Sequence, residues 1–253
     1  MQRKHIKAIL VAFPIDQAFI TPLSNLEHVL SSLAMCVQVV MASEKNLSTK
    51  PSWIVVHLSR IRAARYLALL TRIARYIYLQ ARVSLILMKL LRNVDLCIFF
   101  MEAGAVMPML TAKAFRKKVA WLLPSYISKV TCFHEDTLTT VTLCLQTMSA
   151  RLADNIILYS PSLIKEWSLA KHRHKISIAH EHFLDFDKFK IQESLNKRNN
   201  LVGYIGRLSQ EKGILNFMEA IPRVLESSNN LAFLVGGDGQ LRLKVEQCLT
   251  KES

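Results

Sequence analysis

The chain has 253 residues, of which 51% are hydrophobic and 8% aromatic, so it is long enough for one large or two modest domains with real cores. This composition excludes a disordered chain. Lys and Arg number 33 against 19 Asp and Glu, a formal net charge of +14, so an anionic partner is expected. Nucleotide phosphates, acidic lipid headgroups and nucleic acid all fit that charge.

The cysteines and the apolar runs indicate the cellular compartment in which the protein is expected. The five cysteines are odd in number and include no C-x-x-C pair, which favours a reducing cytosol. Cys36, Cys97 and Cys144 lie in apolar runs and are expected in the core. The apolar stretch before Pro14 is too short for a signal peptide, and polar residues, Gly and Pro break the run Val94–Ala112. No membrane span is predicted, and the expected location is cytoplasmic.

The first part of the chain alternates apolar runs with helical patterns. Seven runs are predicted as strands: Ile6–Phe13, Val37–Ala42, Trp53–Leu58, Asp95–Phe100, Val119–Leu123, Asn155–Tyr159 and Ile176–Ala179. Helices are predicted between them, over Leu23–Ala34, Ile61–Leu91, Gly104–Phe115, Thr137–Leu152 and Ser162–Leu169. Continuous hydrophobicity is typical of strands covered on both faces, so the predicted class is α/β with a doubly wound parallel sheet.

The polar, basic residues 191–200 predict a linker, which separates a domain at 1–190 from a second, partial domain at 201–253. The second domain is predicted to hold two strands and two helices, in the order Leu201–Ile205, Ile214–Leu225, Leu231–Val235 and a closing helix from Gln240. Pro222 falls late in the first of these helices, where it removes a backbone hydrogen bond and is expected to kink the helix.

Glycine is concentrated in this second domain. Six of the seven glycines lie between positions 203 and 239. The strand Leu201–Ile205 runs into Gly206, and Arg207 and Lys212 follow five residues apart before the helix begins. Glycine lets the backbone approach a bulky anion, and two cations at the carboxyl end of a strand can neutralise charge on a leaving group. These residues predict an anion site suited to a diphosphate.

Residues 203–213 also resemble a known family motif. Their sequence, Gly-Tyr-Ile-Gly-Arg-Leu-Ser-Gln-Glu-Lys-Gly, resembles the start of the C-terminal domain in family 4 of the retaining GT-B-fold glycosyltransferases. The resemblance continues through residues 214–222 and the glycine group at 236–239. It implies a nucleotide-diphosphate sugar donor whose phosphates contact Arg207 and Lys212, and an active site between an acceptor-side and a donor-side domain. The expected reaction is sugar transfer to an acceptor hydroxyl, and no cofactor is implied.

The chain departs from the family pattern in two places. Glycines that often follow the first strand are replaced by Phe-Pro-Ile-Asp-Gln at 13–17. Family members also carry, further on, two glutamates separated by seven residues, and neither Glu246 nor Glu252 matches them. The second domain is therefore expected to be truncated. The alternative function is a non-catalytic or split fragment that binds a nucleotide or a partner chain through this domain.

Histidines supply two further candidates. His134, beside Glu135 and Asp136, is either an acid–base group or a cap of the following helix. The sequence His-Glu-His at 180–182 replaces a Pro-Asn-Gly turn usual in the family, and without a third ligand it predicts no metal site. A nicotinamide-binding domain is disfavoured because residues 237–242 lack the third glycine of that fingerprint.

Residues 59–92 contain eight Arg or Lys residues and no acidic residue. A helix would collect four of these cations on one face: Arg65, Arg72, Arg75 and Arg82. An apolar row that includes Ile73 and Ile77 would lie on another face. One interpretation is attraction to anionic lipid headgroups at the inner face of the membrane, in keeping with the lipid-linked acceptors that enzymes of this fold often use. The other is a solvated face over a packed one. Nucleic acid is not an expected partner, because no recognisable nucleic-acid module accompanies the charge.

Overall fold

The computed structural model describes residues 6–12, 19–43, 49–57, 68–100, 104–124, 136–180, 189–190, 194–228 and 230–251. The chain divides into two compact units, Met1–Phe183 and Leu184–Ser253. The predicted linker at 191–200 lies near the start of the second unit.

The first unit contains a parallel β-sheet. Its described residues form seven strands: β1 (Lys7–Ala12), β2 (Cys36–Ser43), β3 (Ile54–His57), β4 (Leu96–Phe100), β5 (Lys118–Leu123), β6 (Asn155–Leu158) and β7 (Ile176–Ile178). They are all parallel and are arranged in the order β3-β2-β1-β4-β5-β6-β7. Strand order reverses between β1 and β4, which is the switch point of a doubly wound sheet. The predicted fold class is confirmed.

Helices cover both faces of this sheet, which explains why its strands are apolar without alternation. The described helices of the unit are α1 (Ile20–Leu33), α2 (Ala68–Leu90), α3 (Val106–Ala114), α4 (Asp136–Leu152) and α5 (Leu163–Glu166). Leu23 of α1 packs with Leu10 and Phe100 on one face. On the other face, Val83 of α2 and Met109 of α3 belong to the cluster around the fully buried Trp121.

The run from Val94 to Ala112 resolves into β4 and the start of α3, as the sequence predicts. None of the helices in the described part of the chain combines the length and apolar character needed to cross a bilayer.

Several local predictions for this unit were wrong. The helix predicted over Ser162–Leu169 is one turn, because Ser168 adopts φ 53° and the chain leaves the helix there.

Cys36 and Cys144 are exposed, and only Cys97 of the three expected core cysteines is buried. Cys36 begins β2 at the exposed end of that strand. Burial raises the pKa of the Cys97 thiol to about 12.

Asp154 connects α3 to the sheet. Its carboxylate accepts hydrogen bonds from Lys113 Nζ at 2.6 Å and from the Val119 N–H at 2.8 Å. Partial burial raises its pKa, but these two donors outweigh burial, so the pKa lies below the ordinary value of 3.8.

Replacing this carboxylate should weaken the first unit in a pH-dependent way. We expect Asp154→Asn to lower the free energy of unfolding by about 1 kcal/mol at neutral pH, since a partly exposed ion pair and one hydrogen bond are lost. A group with a depressed folded-state pKa stabilises above its unfolded pKa, near 3.8, and this stability is lost as pH falls through the lower folded value. Urea unfolding measured from pH 7 down to about pH 2 should show the difference between the two proteins narrowing below about pH 4; a constant difference would contradict this role.

The second unit contains a smaller parallel sheet. Its described strands are β8 (Leu201–Ile205) and β9 (Ala232–Gly236), and its helices are α6 (Ile214–Ser227) and α7 (Arg242–Lys251). The helices pack on one face of the sheet around a small core: Leu208, Ile214, Met218, Ile221 and Val245. Pro222 lies inside α6, which continues through it to Ser227.

Candidate anion-binding site

The first loop of the candidate site joins β8 to α6 and contains Gly206, Arg207 and Lys212. The Ser209 N–H donates to the Arg207 carbonyl at 2.9 Å, and the Lys212 N–H donates to the Ser209 carbonyl at 3.2 Å. Gly213 adopts φ 71°, ends a short 3-10 turn and serves as the N-cap of α6. Glycine adopts this left-handed conformation without steric cost. The loop is therefore a tight turn that places both cations immediately before a helix.

Tyr204 of β8 contacts this loop at two points. Its hydroxyl donates to the Arg207 carbonyl at 2.9 Å, and the Lys212 carbonyl lies 3.4 Å from the same oxygen. The Tyr204 ring packs against Phe217 of α6 with 5.4 Å between centroids. One side chain thus fixes the backbone at both predicted cations. Sequence analysis missed this role because tyrosine in an apolar strand is typical of ordinary strand packing.

A second loop, from β9 to α7, is hydrogen-bonded to the first. The Gly206 N–H donates to the Gly236 carbonyl at 3.0 Å, and the Leu208 N–H donates to the Asp238 carbonyl at 2.9 Å. In return, the Leu241 N–H donates to the Leu208 carbonyl at 3.0 Å. These three bonds continue the pairing of the strands into their loops, so the two loops form one backbone structure.

Glycine is required at two positions of the second loop. A Cβ atom at Gly237 would overlap the carbonyl oxygen of Gly206, and one at Gly239 would lie 2.5 Å from the carbonyl oxygen of Leu208. Both residues also have positive φ, 147° and 158° respectively. Gly237 and Gly239 therefore allow the close approach of the two loops.

The two predicted cations differ in their surroundings. Arg207 Nη1 lies 3.6 Å from Glu211 Oε1, and both side chains are about 60% exposed. Such a pair is weak in water and can be exchanged for another anion. Lys212 is exposed and forms no ion pair with any carboxylate in the described part of the chain. Both charges are thus accessible to an anionic ligand.

Arg242, the first residue of α7, is more firmly paired. Its Nε donates to Glu246 Oε1 at 2.8 Å, and its Nη1 lies 3.8 Å from Asp238 Oδ1. The hydrogen bond that Arg242 donates to Glu246, together with the negative charges of Glu246 and Asp238, raises the pKa of Arg242. Because Arg242 already has two carboxylate partners, Arg207 and Lys212 are the better candidates for binding an anion at this edge.

The topology brings these groups to one edge of the sheet. β8 and β9 are parallel, so both of their carboxyl ends, and the N-termini of α6 and α7, lie at the same edge. The first N–H groups of a helix have no partner within the helix and carry partial positive charge. With Arg207 and Lys212 beside them, they form a surface suited to phosphate oxygens. In the part of the chain that the structure describes, no group of three or more His, Cys, Asp or Glu side chains could hold a metal ion.

The first unit has a polar cluster just beyond the carboxyl end of β4. The Gly104 carbonyl accepts hydrogen bonds from Gln80 Nε2 at 2.6 Å and from the Tyr76 hydroxyl, and its N–H donates to Ser149 Oγ at 3.2 Å. Gln80 Oε1 accepts from the Met107 N–H at 3.2 Å. Gly104 has φ 111°, which explains the one glycine outside the group in the second unit. The cluster joins α2, α3 and α4 at the loop that follows β4.

The structure describes only some of the other predicted residues. His134, Arg65 and most of the His-Glu-His triplet at 180–182 lie outside the described residues. Arg72 belongs to α2, but its side chain is outside the described set as well. Arg75 and Arg82 lie on α2 in the first unit, with Arg82 exposed and 6.0 Å from the centre of the Tyr78 ring. The structure thus brings together Gly206, Arg207 and Lys212 in the second unit, while Arg75 and Arg82 belong to the first.

Comparison by sequence found no relative, since no protein-family model and no curated protein matches the chain. Comparison by structure found similar proteins. Anabaena HepE in complex with UDP is similar over 97% of this chain and 66% of its own, with a TM-score of 0.64 at 15% identity. The lipopolysaccharide outer core galactosyltransferase WaaB is similar over 97% of this chain and 65% of its own, with a TM-score of 0.60 at 16% identity.

A third similar structure is the UDP-GlcNAc 2-epimerase of Methanocaldococcus jannaschii, with a TM-score of 0.54 at 11% identity over 97% of this chain and 68% of the epimerase. The chain therefore spans about two thirds of the length of these proteins. At such low identity the likeness concerns the fold. The chain is an α/β protein with a GT-B-like fold, in which a seven-stranded parallel sheet is followed by a second, smaller parallel sheet unit.

Proposed function

We propose that this chain binds a nucleotide-diphosphate sugar and takes part in transfer of the sugar to an acceptor hydroxyl. The observation that carries the proposal is the pair of hydrogen-bonded loops that places Arg207 and Lys212 beside the N-terminus of α6. Structures of the same fold bind UDP in HepE and act as a galactosyltransferase in WaaB, which supports a nucleotide sugar as the ligand.

The chemistry proposed for the two cations is stabilisation of the departing diphosphate. Negative charge grows on the phosphate oxygens as the bond to the sugar breaks, and preorganised cations and N–H groups stabilise that charge. Tyr204 contacts the backbone carbonyls of both residues, so the loop that carries the two cations is already formed before the ligand binds. In this proposal, Gly206 lets the phosphates approach the backbone.

The finer assignments come from the sequence resemblance. They are membership of glycosyltransferase family 4 and retention of the sugar's configuration. Domains at 1–190 and 201–253, joined by residues 191–200, are proposed from the polar, basic composition of that linker. A lipid-linked acceptor and a peripheral position at the inner face of the membrane complete the proposal. Support for the last point comes from α2, where Arg82 and Lys89 are exposed cations.

Binding of nucleotides by isothermal titration tests the site directly. We expect the full chain to bind a nucleoside diphosphate at least about 10-fold more tightly than the matching monophosphate, because the second phosphate adds charge-assisted contacts. The panel should contain uridine, guanosine and adenosine nucleotides, and the affinity should fall as salt rises.

Two results would count against the proposal. One is equal affinity for mono- and diphosphates throughout the panel, which would mean that the loops make no contact with the second phosphate. The other is absence of binding at low salt. Diphosphate binding without release of sugar from any nucleotide sugar would favour the non-catalytic alternative.

A further inference from the structure

The surface made by α2 and α3 is unusual because it is both apolar and exposed. In α2, Leu79, Val83 and Leu87 are at most 4% exposed and face the core. Ile73 and Ile77, which form an apolar row in the sequence, are 44% and 53% exposed instead. The helix thus has two apolar faces, and only one of them is covered by the first unit.

The exposed apolar face continues from α2 onto α3. Four large apolar side chains are 39% to 53% exposed: Leu85, Met88, Met107 and Leu110. They line one open groove of about 440 Å³, together with Ala81, Ser84 and Thr111. We refer to these four residues with Ile77 as the apolar strip. A contiguous strip of this kind marks an interaction site on a soluble domain.

A row of cations runs beside the strip. Arg75, Arg82 and Lys89 are spaced by seven residues, which is about two helical turns, so they follow one side of α2. Neither α2 nor α3 contains an acidic residue. A partner protein would need an apolar surface that fits the groove, with acidic groups placed beside it. An anionic bilayer presents negative headgroups and apolar acyl chains along its whole surface.

We propose that α2 and α3 dock on an anionic lipid bilayer, with the apolar strip inserted at the boundary between headgroups and acyl chains and the cation row among the headgroups. Interfacial helices have this combination of an apolar face and flanking Lys and Arg. The inference goes beyond electrostatic attraction to headgroups, because it assigns the side chains that enter the hydrocarbon. It rests on and deepens the peripheral membrane position proposed above, but it does not depend on nucleotide-sugar transfer, so failure to bind vesicles would leave the nucleotide-binding proposal standing.

Tryptophan fluorescence provides a direct test of insertion. All three native tryptophans are buried, with exposures of 6%, 0% and 5% for Trp53, Trp121 and Trp167. Leu85→Trp therefore introduces an exposed reporter. We expect its emission to shift to the blue, and to be quenched by brominated acyl chains, on mixing with phosphatidylcholine vesicles that contain phosphatidylglycerol. The matched control is Leu33→Trp, since Leu33 is 55% exposed at the end of α1, on the opposite face of the sheet.

Vesicle co-sedimentation separates the apolar and ionic contributions. Leu85→Ser with Leu110→Ser should weaken partition into anionic vesicles about 10-fold. Arg82→Ala with Lys89→Ala should weaken it roughly 30-fold. Leu33→Ser with Met35→Ser, an apolar pair elsewhere in the unit that is even more exposed, should leave it unchanged.

The proposal fails if the full chain does not bind anionic vesicles, or if the emission of Leu85→Trp is the same with and without them. It also fails if the serine pair at 85 and 110 has no effect and high salt abolishes binding, because the contact would then be purely electrostatic. A change from dimer to monomer caused by that serine pair would identify a second copy of the chain as the occupant and would equally overturn the proposal.

Discussion

Replacing Arg207 and Lys212 together by alanine should lower affinity for a nucleoside diphosphate by about 100-fold, which corresponds to about 3 kcal/mol. Each cation is expected to make a charge-assisted hydrogen bond to phosphate oxygen, and exposure to water moderates the value of each bond. The fold should be unaffected, because both side chains point to solvent and their backbone contacts with Tyr204 persist.

A second double variant serves as the control for net charge. Arg223→Ala with Lys197→Ala removes two exposed cations from the same unit, one in α6 and one in the turn before β8. If both double variants lose affinity equally, the general positive charge of the unit binds the nucleotide and the loop has no special role. Release of sugar from nucleotide sugars should be compared in the same proteins, and identical background rates in the native chain and the Arg207, Lys212 variant would show that the loop supports no turnover.

Gly237→Ala should have the largest effect on the structure of the second unit. The new Cβ would overlap the Gly206 carbonyl oxygen, and alanine is strained at φ 147°. We expect a loss of about 3 kcal/mol or more, because the clash involves two backbones that cannot move apart without breaking the bonds between the loops. A unit with so small a core has little stability to lose.

Hydrogen exchange measures this effect locally. Amides of β8 and β9 should lose protection in Gly237→Ala, whereas β1 and β4 of the first unit should keep theirs. Gly203→Ala is the matched control, since a Cβ there meets nothing within 4 Å. Native protection of β8 and β9 in Gly237→Ala would show that the two loops are not held as the structure has them. Nucleotide binding should fall together with protection, because the same bonds position Arg207.

The position of most strands could be predicted because burial on both faces leaves a continuous apolar run. The run Val37–Ala42 became β2, and Asn155–Tyr159 became β6, with boundaries within two residues. Helix length was less predictable. Leu163, Trp167 and Leu169 are all buried, yet the backbone turns at Ser168, and nothing in the apolar pattern indicates that turn.

The amphipathic pattern of α2 did not show which of its apolar faces would be buried, and the reason is physical. Ile73 and Ile77 show helical spacing as clearly as Leu79 and Val83 do, and spacing cannot say which row the sheet will cover. The same limit applies to cysteine, since Cys36 lies in an apolar strand but at its exposed end. Exposure depends on what packs against an element, and that partner is distant in sequence.

By itself, the sequence determined the α/β class, the excess of positive charge and the loop that carries Arg207 and Lys212, because these follow from local composition and spacing. Only the tertiary structure decided that Gly237 and Gly239 let a second loop bond to the first, and that the Tyr204 hydroxyl contacts the backbone carbonyls of both Arg207 and Lys212. It alone decided that an apolar strip on α2 and α3 stays uncovered beside a row of cations. The hydrogen bonds between the two loops join residues about thirty apart in the chain, and no local pattern encodes which of two equivalent helix faces a distant element will bury.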